Sequence, residues 1–179
     1  MSQFEFVQVT VAVILGLGLT DLLRNLGEQF RHRQEFEIYW LQLIASCLLL
    51  TVILMYLWTF WRAVEVTWTL PMFLLQVASA IALALSAQFI KVDWSSDKSA
   101  EDQYYENRVA TFLAWACGPL FASLFGFAAG LESLEARLFI VGFLLSLAVI
   151  KNRIFHTVVV TGLLLTVFVG FTSSQLVLE

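Results

Sequence analysis

Long apolar blocks separated by short polar segments make up almost the whole chain. Each block has roughly 17–25 residues, the length that a helix needs to cross the hydrocarbon core of a bilayer. The pattern predicts an all-α, polytopic transmembrane helix bundle that forms a single transmembrane domain. About six spans are predicted, over residues 4–24, 38–61, 67–90, 109–131, 134–150 and 154–171.

Composition supports a membrane location and limits the possible partners. The 179 residues are 60% hydrophobic and 13% charged, whereas about 25% of residues are charged in an ordinary soluble domain. A water-soluble domain of this size has too little interior to hide so much apolar surface, so membrane lipid is the expected surrounding. Lys and Arg form no dense cluster, and we therefore expect no nucleic-acid partner.

The distribution of basic residues predicts the orientation of the bundle. Eight of the ten Lys and Arg residues fall in the segments that connect spans 1 and 2, 3 and 4, and 5 and 6, or at their edges. The opposite side has only Arg62 and Arg137. Because cytoplasmic connections are enriched in Lys and Arg, this asymmetry predicts that both termini lie outside. The tryptophans near the predicted ends of the spans agree with this arrangement.

A series of small residues at strict four-residue spacing marks the fourth span. On a helix these residues form one ridge, and such ridges allow helices in lipid to approach closely. The ridge is interpreted either as tight packing inside one chain or as an interface between copies of a homo-oligomer. Its members are Ala110, Ala114, Gly118, Ala122, Gly126 and Gly130. Shorter series include Ala12, Gly16 and Thr20 in the first span.

Four polar residues in or near the spans are candidates for a pore or gate. Asp21 and Arg24 are three residues apart, so they are expected to meet on one helix face, either as an interfacial ion pair or as a cytoplasmic mouth. Gln76 and Ser79 share one sector of the third span. They are interpreted either as hydrogen-bonded to a neighbouring helix or as part of a hydrated path.

The residues needed for catalysis or cofactor binding are not arranged in any recognisable way. The predicted spans place no His or Lys in mid-membrane, no phosphate-binding loop is present, and no nucleophile–base set falls in one layer. The acidic segment before the fourth span is interpreted as a solvated helix and the two histidines as unrelated to a metal. We therefore predict no catalytic, cofactor-binding or metal-binding residues and no enzymatic activity.

Several features of the first 75 residues resemble a group of small multi-pass bacterial membrane proteins of unassigned function. They are Phe4-Glu-Phe, the run from Leu15 to Leu23, Tyr39-Trp40 and the pair Trp58 and Trp61. The resemblance implies a location in the bacterial inner membrane, and it implies no activity or site residues.

Two functions are compatible with a chain that has no predicted soluble domain. The first hypothesis is a small pore-forming or transport-type protein, acting as a homo-oligomer. The alternative is a non-transporting assembly or interaction protein that docks onto a larger complex or onto lipid. A pore requires a continuous polar lining across the membrane, whereas a docking protein requires a dry core.

Overall fold

The fold is an all-helical bundle. The computed structural model describes residues 2–31, 39–130 and 135–175, and no strand occurs among these residues. A short 3-10 turn at Phe60–Ala63 follows the second helix. The helices are α1 (Gln3–Arg31), α2 (Trp40–Thr59), α3 (Leu70–Phe89), α4 (Ala100–Ala128), α5 (Glu135–Val149) and α6 (Arg153–Gln175).

Local sequence explains where several of these helices begin. At the start of α1 the Ser2 hydroxyl accepts from the Glu5 backbone N–H, and the Glu5 carboxylate accepts from the Ser2 backbone N–H. This reciprocal arrangement satisfies donors that the helix itself leaves unpaired. Ser99 caps α4 by accepting from the backbone N–H of Asp102. The Asn152 side chain accepts from two backbone N–H groups in the first turn of α6.

The helices run in alternating directions, so the bundle has two chemically different ends. One end is called the aromatic end. It brings together the start of α1, the turn after α2, the start of α3 and the end of α4. Aromatic rings stack at this end. The distance between ring centres is 5.6 Å for Phe4 and Phe60, 6.1 Å for Phe60 and Trp68, and 5.2 Å for Trp68 and Phe125.

The opposite end, the polar end, brings together residues from all six helices or their flanks. Asp21 near the end of α1 pairs with Lys91 just after α3. The Tyr39 hydroxyl, before α2, donates to the Tyr105 hydroxyl on α4 at 3.2 Å. The side chain of His156 on α6 contacts the backbone carbonyl of Ile150 just after α5. Hydrogen bonds and ring contacts, such as Tyr39–Tyr104 and Tyr104–His156, therefore hold the helix ends together at this end, whereas ring stacking predominates at the other.

Helix α3 packs mainly against α4 and α1. Gly18 of α1 faces Ala84 of α3 so closely that an added Cβ would lie 3.0 Å from the Ala84 Cα. Gly118 of α4 faces Leu83 of α3, and the Ser79 hydroxyl donates to the Gly118 carbonyl at 2.8 Å. Helix α5 packs against α4, and α6 packs chiefly against α2.

The outer faces of the helices are apolar. Helices α1 to α4 are long and apolar enough to cross a membrane, by length and composition, and shorter apolar stretches cover Leu138–Val149 and Arg153–Val167. Large exposed apolar side chains of this kind are stable only when lipid or protein covers them. The chain is thus a membrane protein. Examples on α1 are Phe6, Val9, Val13 and Leu17, and on α5 Phe139 and Phe143.

Two helices extend beyond the spans that the hydrophobic pattern predicts. Helix α1 continues to Arg31, past the predicted end near residue 24, and α4 starts at Ala100, before the predicted start near residue 109. Both extensions are polar, so hydropathy alone does not include them, although their residues favour helices. Both lie at the polar end, where they provide several of the buried polar contacts.

Candidate functional site

Asp21 and Arg24, which were expected to meet on one helix face, each have a different partner in the structure. The Asp21 carboxylate accepts from the Lys91 ammonium at 2.7 Å and from the Gln88 amide at 3.3 Å. Arg24 instead donates to Glu28, one turn further along α1, at 3.1 Å. Asp21 and Arg24 can share a helix face, but the end of α3 places a cation nearer to Asp21. The expected pair is thus replaced by an ion pair between helices.

Ser79 and the side-chain carbonyl of Gln76 form hydrogen bonds within the bundle. The Ser79 hydroxyl donates to the Gly118 carbonyl, which ties α3 to α4. The Gln76 side-chain carbonyl accepts a short hydrogen bond from the Tyr56 hydroxyl on α2. Ser79 is completely buried, and only 5% of Gln76 is exposed. These contacts match the expectation of bonding to neighbouring helices, and Gln76 in addition lines a cavity.

The small-residue ridge on α4 is covered by the chain itself along its middle. Gly118, Ala122 and Gly126 are buried, Ala114 is half-buried, and Ala110 is exposed. Gly130 follows the helix with a φ of +67°, a left-handed conformation that favours glycine, and is exposed. The buried part of the ridge supports the interpretation as packing inside one chain. The prediction of an interface between copies stays a prediction.

A cavity of about 270 Å³ lies between the helices in the half of the bundle nearer the aromatic end. Its wall is almost entirely apolar, and all helices except α1 contribute to it. It is partly open, and the exposed residues Thr59 and Thr166 lie on its rim. Its lining includes Leu48, Val52, Met55, Tyr56, Phe60, Gln76, Leu83, Trp115, Ala122, Phe125, Gly126, Ile140, Leu144, Leu163 and Val167.

The Tyr56–Gln76 pair is the polar feature of this wall. The one hydrogen bond that Gln76 makes within the described residues uses its carbonyl oxygen, so its two amide hydrogens remain. A ligand that covers these amide hydrogens without offering an acceptor loses a hydrogen bond, which costs about 1–3 kcal/mol by mutational data. Gln76 is therefore a position where an entering molecule gains affinity by offering an acceptor.

Tightly packed side chains separate the cavity from the polar end. Leu83 and Trp115 form part of the cavity wall, and Phe112 lies one turn closer to the polar end, stacked on Trp115 at 5.9 Å between ring centres. All three are at least 98% buried. Among the described residues, the cavity consequently has a closed apolar floor.

A second cluster, at the polar end, contains a fully buried histidine. His156 lies between Tyr104 and the backbone carbonyl of Ile150, with Nδ1 3.0 Å from the Tyr104 hydroxyl and Nε2 2.7 Å from the carbonyl oxygen. Since a carbonyl only accepts, Nε2 donates and Nδ1 accepts from Tyr104. The neutral imidazole thus links α4, α5 and α6. The other histidine, His32, lies outside the described residues.

Tyr39 lies at the edge of this cluster. Burial raises the pKa of its hydroxyl, and the hydrogen bond with Tyr105 raises this pKa further. The Arg153 guanidinium lies 5.9 Å from the centre of the Tyr39 ring. The described residues contain no group of three or more His, Cys, Asp or Glu side chains suited to a metal ion. The cluster has the character of a structural tie between helix ends.

The comparisons with known proteins give no match: neither a protein-family model, nor a curated protein, nor a solved structure is similar to this chain.

Sequence reasoning identified Gln76 but not the cavity around it. The cavity is lined by residues far apart in the chain, such as Trp115 and Leu144, and Tyr56 and Gln76 of two different helices hydrogen-bond in its wall. The signals present in the sequence were a polar residue inside an apolar span and a nearby tyrosine. Neither indicates that a space remains between the helices.

Proposed function

We propose that the chain is a membrane-embedded binding protein for an apolar molecule dissolved in the bilayer. The cavity carries this proposal. Ligand sites are typically concave, mostly apolar and equipped with a few polar groups, and this cavity has all three properties. The proposal is one form of the non-transporting alternative, with a lipid-like molecule as the partner.

The size of the cavity sets the size of the ligand. A designed cavity of about 150 Å³ in another protein accepts benzene, so about 270 Å³ accommodates one ring with substituents or part of an alkyl chain. A complete two-chain lipid is far larger. The ligand therefore inserts one group, and the rest of it extends through the rim near Thr59 and Thr166 into the bilayer.

The closed floor favours binding over conduction through a single chain. A pore needs a path that replaces the hydration of an ion, and among the described residues the stacked and buried rings of Phe112 and Trp115 obstruct such a path toward the polar end. On α3, the Ser79 hydroxyl and the Gln76 side-chain carbonyl hydrogen-bond within the bundle. A pore formed between several copies stays a prediction, as does the homo-oligomer.

Orientation and location belong to the same proposal. We infer that the polar end faces the cytoplasm of a bacterium, because the basic residues concentrate there, and that the chain crosses the inner membrane several times. The cavity then opens in the outer half of the bilayer. Its ligand would come from the pool of apolar molecules that diffuse within the membrane.

Saturable binding to the purified protein tests this function. We would titrate a short alkylbenzene into the protein in detergent and measure binding by calorimetry. Ala122→Phe places a ring in the cavity and should abolish binding, whereas Ala110→Phe, the same change at an exposed position of α4, should not. Thr166→Phe narrows the exposed rim and serves as a second blocking variant with little effect on the core.

Binding that saturates in wild type and Ala110→Phe but not in the blocking variants would support the proposal. Equal titration of all four proteins would mean that the probe partitions into detergent or onto the outer surface. That result would remove the cavity as a binding site.

A further inference from the structure

We infer that the molecule bound in the cavity has a flat ring with a carbonyl group, the chemistry of a membrane-dissolved quinone, and that Gln76 recognises the carbonyl. This inference rests on the proposed function and specifies its ligand class. Three independent observations lead to it: the free amide hydrogens of Gln76, their depth in the bundle, and the aromatic residues in the wall.

The hydrogen-bonding state of Gln76 selects an acceptor. Its carbonyl oxygen is occupied by the Tyr56 hydroxyl, so the side chain offers N–H groups to the cavity. A molecule with a carbonyl oxygen can accept from them, whereas a pure hydrocarbon leaves them unpaired. In this orientation the Tyr56 hydroxyl donates to the amide oxygen, so the N–H groups are the polar atoms of Gln76 that remain for a ligand. The cavity is thus prepared for an acceptor at a defined position.

The depth of Gln76 argues against the ester groups of ordinary bilayer lipids. Gln76 lies six residues after Leu70, the first residue of α3, which corresponds to roughly 9 Å along the helix axis. Helix α3 has 20 residues and is about as long as the hydrocarbon core is thick. The ester carbonyls of a lipid lie near the boundary of this core. A carbonyl that reaches Gln76 must instead belong to a molecule that enters the hydrocarbon region.

The wall composition favours a ring over a chain. Tyr56, Phe60, Trp115 and Phe125 all line the cavity. Aromatic rings stack favourably, by about 0.5–1.5 kcal/mol per pair beyond the area that they bury. A planar ligand can contact these rings at a face or an edge, whereas an alkyl chain gains only burial. A quinone ring combines the planar shape with carbonyl oxygens at its edge, and its tail fits the partly open rim.

Two matched probes separate the contribution of the carbonyl from that of the ring. The first is a benzoquinone with a short alkyl tail, and the second is a benzene with the same tail and no oxygen. We would measure both dissociation constants by calorimetry, at equal mole fraction in the same detergent. For wild type we expect tighter binding of the quinone by roughly two- to tenfold, the usual worth of one hydrogen bond.

Gln76→Leu removes the amide. This variant should bind the two probes with equal affinity, and its affinity for the alkylbenzene should equal that of wild type. Gln88→Leu, the same change at an exposed position of α3 away from the cavity, should keep the wild-type preference. Gln76→Met provides a second, unbranched replacement if the leucine variant is poorly folded. A unimodal size-exclusion profile would establish that each variant is folded.

The possible results distinguish this inference from the proposed function. Loss of the quinone preference in the Gln76 variants, with the preference kept in Gln88→Leu, would support the inference. Equal wild-type affinity for both probes, with both blocked by Ala122→Phe, would overturn the inference and leave the apolar binding site in place. Failure of both probes to bind wild type would overturn both.

Discussion

The close approach of α1 and α3 at Gly18 yields a sharp prediction about stability. A Cβ at Gly18 would meet the Cα of Ala84 at 3.0 Å and the Cβ of Ala84 at 3.3 Å. The first of these atoms belongs to the backbone, which cannot rotate away, so a larger residue must push the two helices apart. At Gly16, two residues earlier on the same helix, an added Cβ would meet no atom within 4 Å.

The pair Gly18→Leu and Gly16→Leu isolates this steric effect. Both changes replace a helical glycine by leucine, so the gain in intrinsic helix propensity, about 0.5–1 kcal/mol, is common to both. Overpacking costs typically about 1–3 kcal/mol, and more where the backbone must move. We therefore expect Gly18→Leu to be less stable than Gly16→Leu by about 3 kcal/mol. Gly18→Ala should show a smaller loss of about 1 kcal/mol.

Thermal unfolding in detergent, followed by circular dichroism, provides the assay. For a chain of this length 1 kcal/mol corresponds to roughly 2–4 °C, so Gly18→Leu should melt roughly 6–12 °C below Gly16→Leu. Equal melting temperatures for the two leucine variants would refute the reasoning, because they would mean that α1 and α3 do not meet at Gly18. A lower melting temperature for Gly16→Leu would indicate that the other glycine forms the contact.

Three further predictions concern the polar end and the orientation. Asp21→Asn should cost only about 0–1 kcal/mol in unfolding free energy, because the pair with Lys91 is partly exposed, and a double-mutant cycle with Lys91→Gln would measure the coupling; a coupling above about 2 kcal/mol would contradict this. His156→Phe should lose about 1–3 kcal/mol, since it leaves the Ile150 carbonyl and the Tyr104 hydroxyl unpaired in a buried site; unchanged thermal unfolding would exclude this tie. Tags on both termini should react with an impermeant reagent in intact cells, and labelling only after permeabilisation would reverse the orientation.

The sequence predicts the helices well because each predicted span is an apolar block, and such a block has few alternatives to a helix in a bilayer. The polar extension 25–31 of α1 was missed because hydropathy detects only apolar helix. Residues 100–108 belong to the acidic segment that was interpreted as a helix, and the structure joins them to α4. In α3 the prediction that Gln76 and Ser79 hydrogen-bond to neighbouring helices agrees with the structure. Local polarity was sufficient there, since a buried amide or hydroxyl must find a partner.

The contacts between helices could not be obtained in the same way. The series Ala12, Gly16 and Thr20 suggested a close contact at Gly16, yet the structure places Gly18 against α3. Spacing shows that small residues share a helix face, but it does not show which face meets a neighbour. The link from Tyr104 to His156 joins residues 52 positions apart, and no local signal connects them.

The central claim is that the cavity beside Gln76 holds an apolar molecule in the membrane. Native mass spectrometry of the protein, released directly from membranes without added ligand, tests it most directly. The account predicts a species heavier than the bare chain by the mass of one small apolar molecule. That species should persist in Ala110→Phe and be lost in Ala122→Phe. Bare chain alone in wild type, or the same adduct in both variants, would contradict the claim.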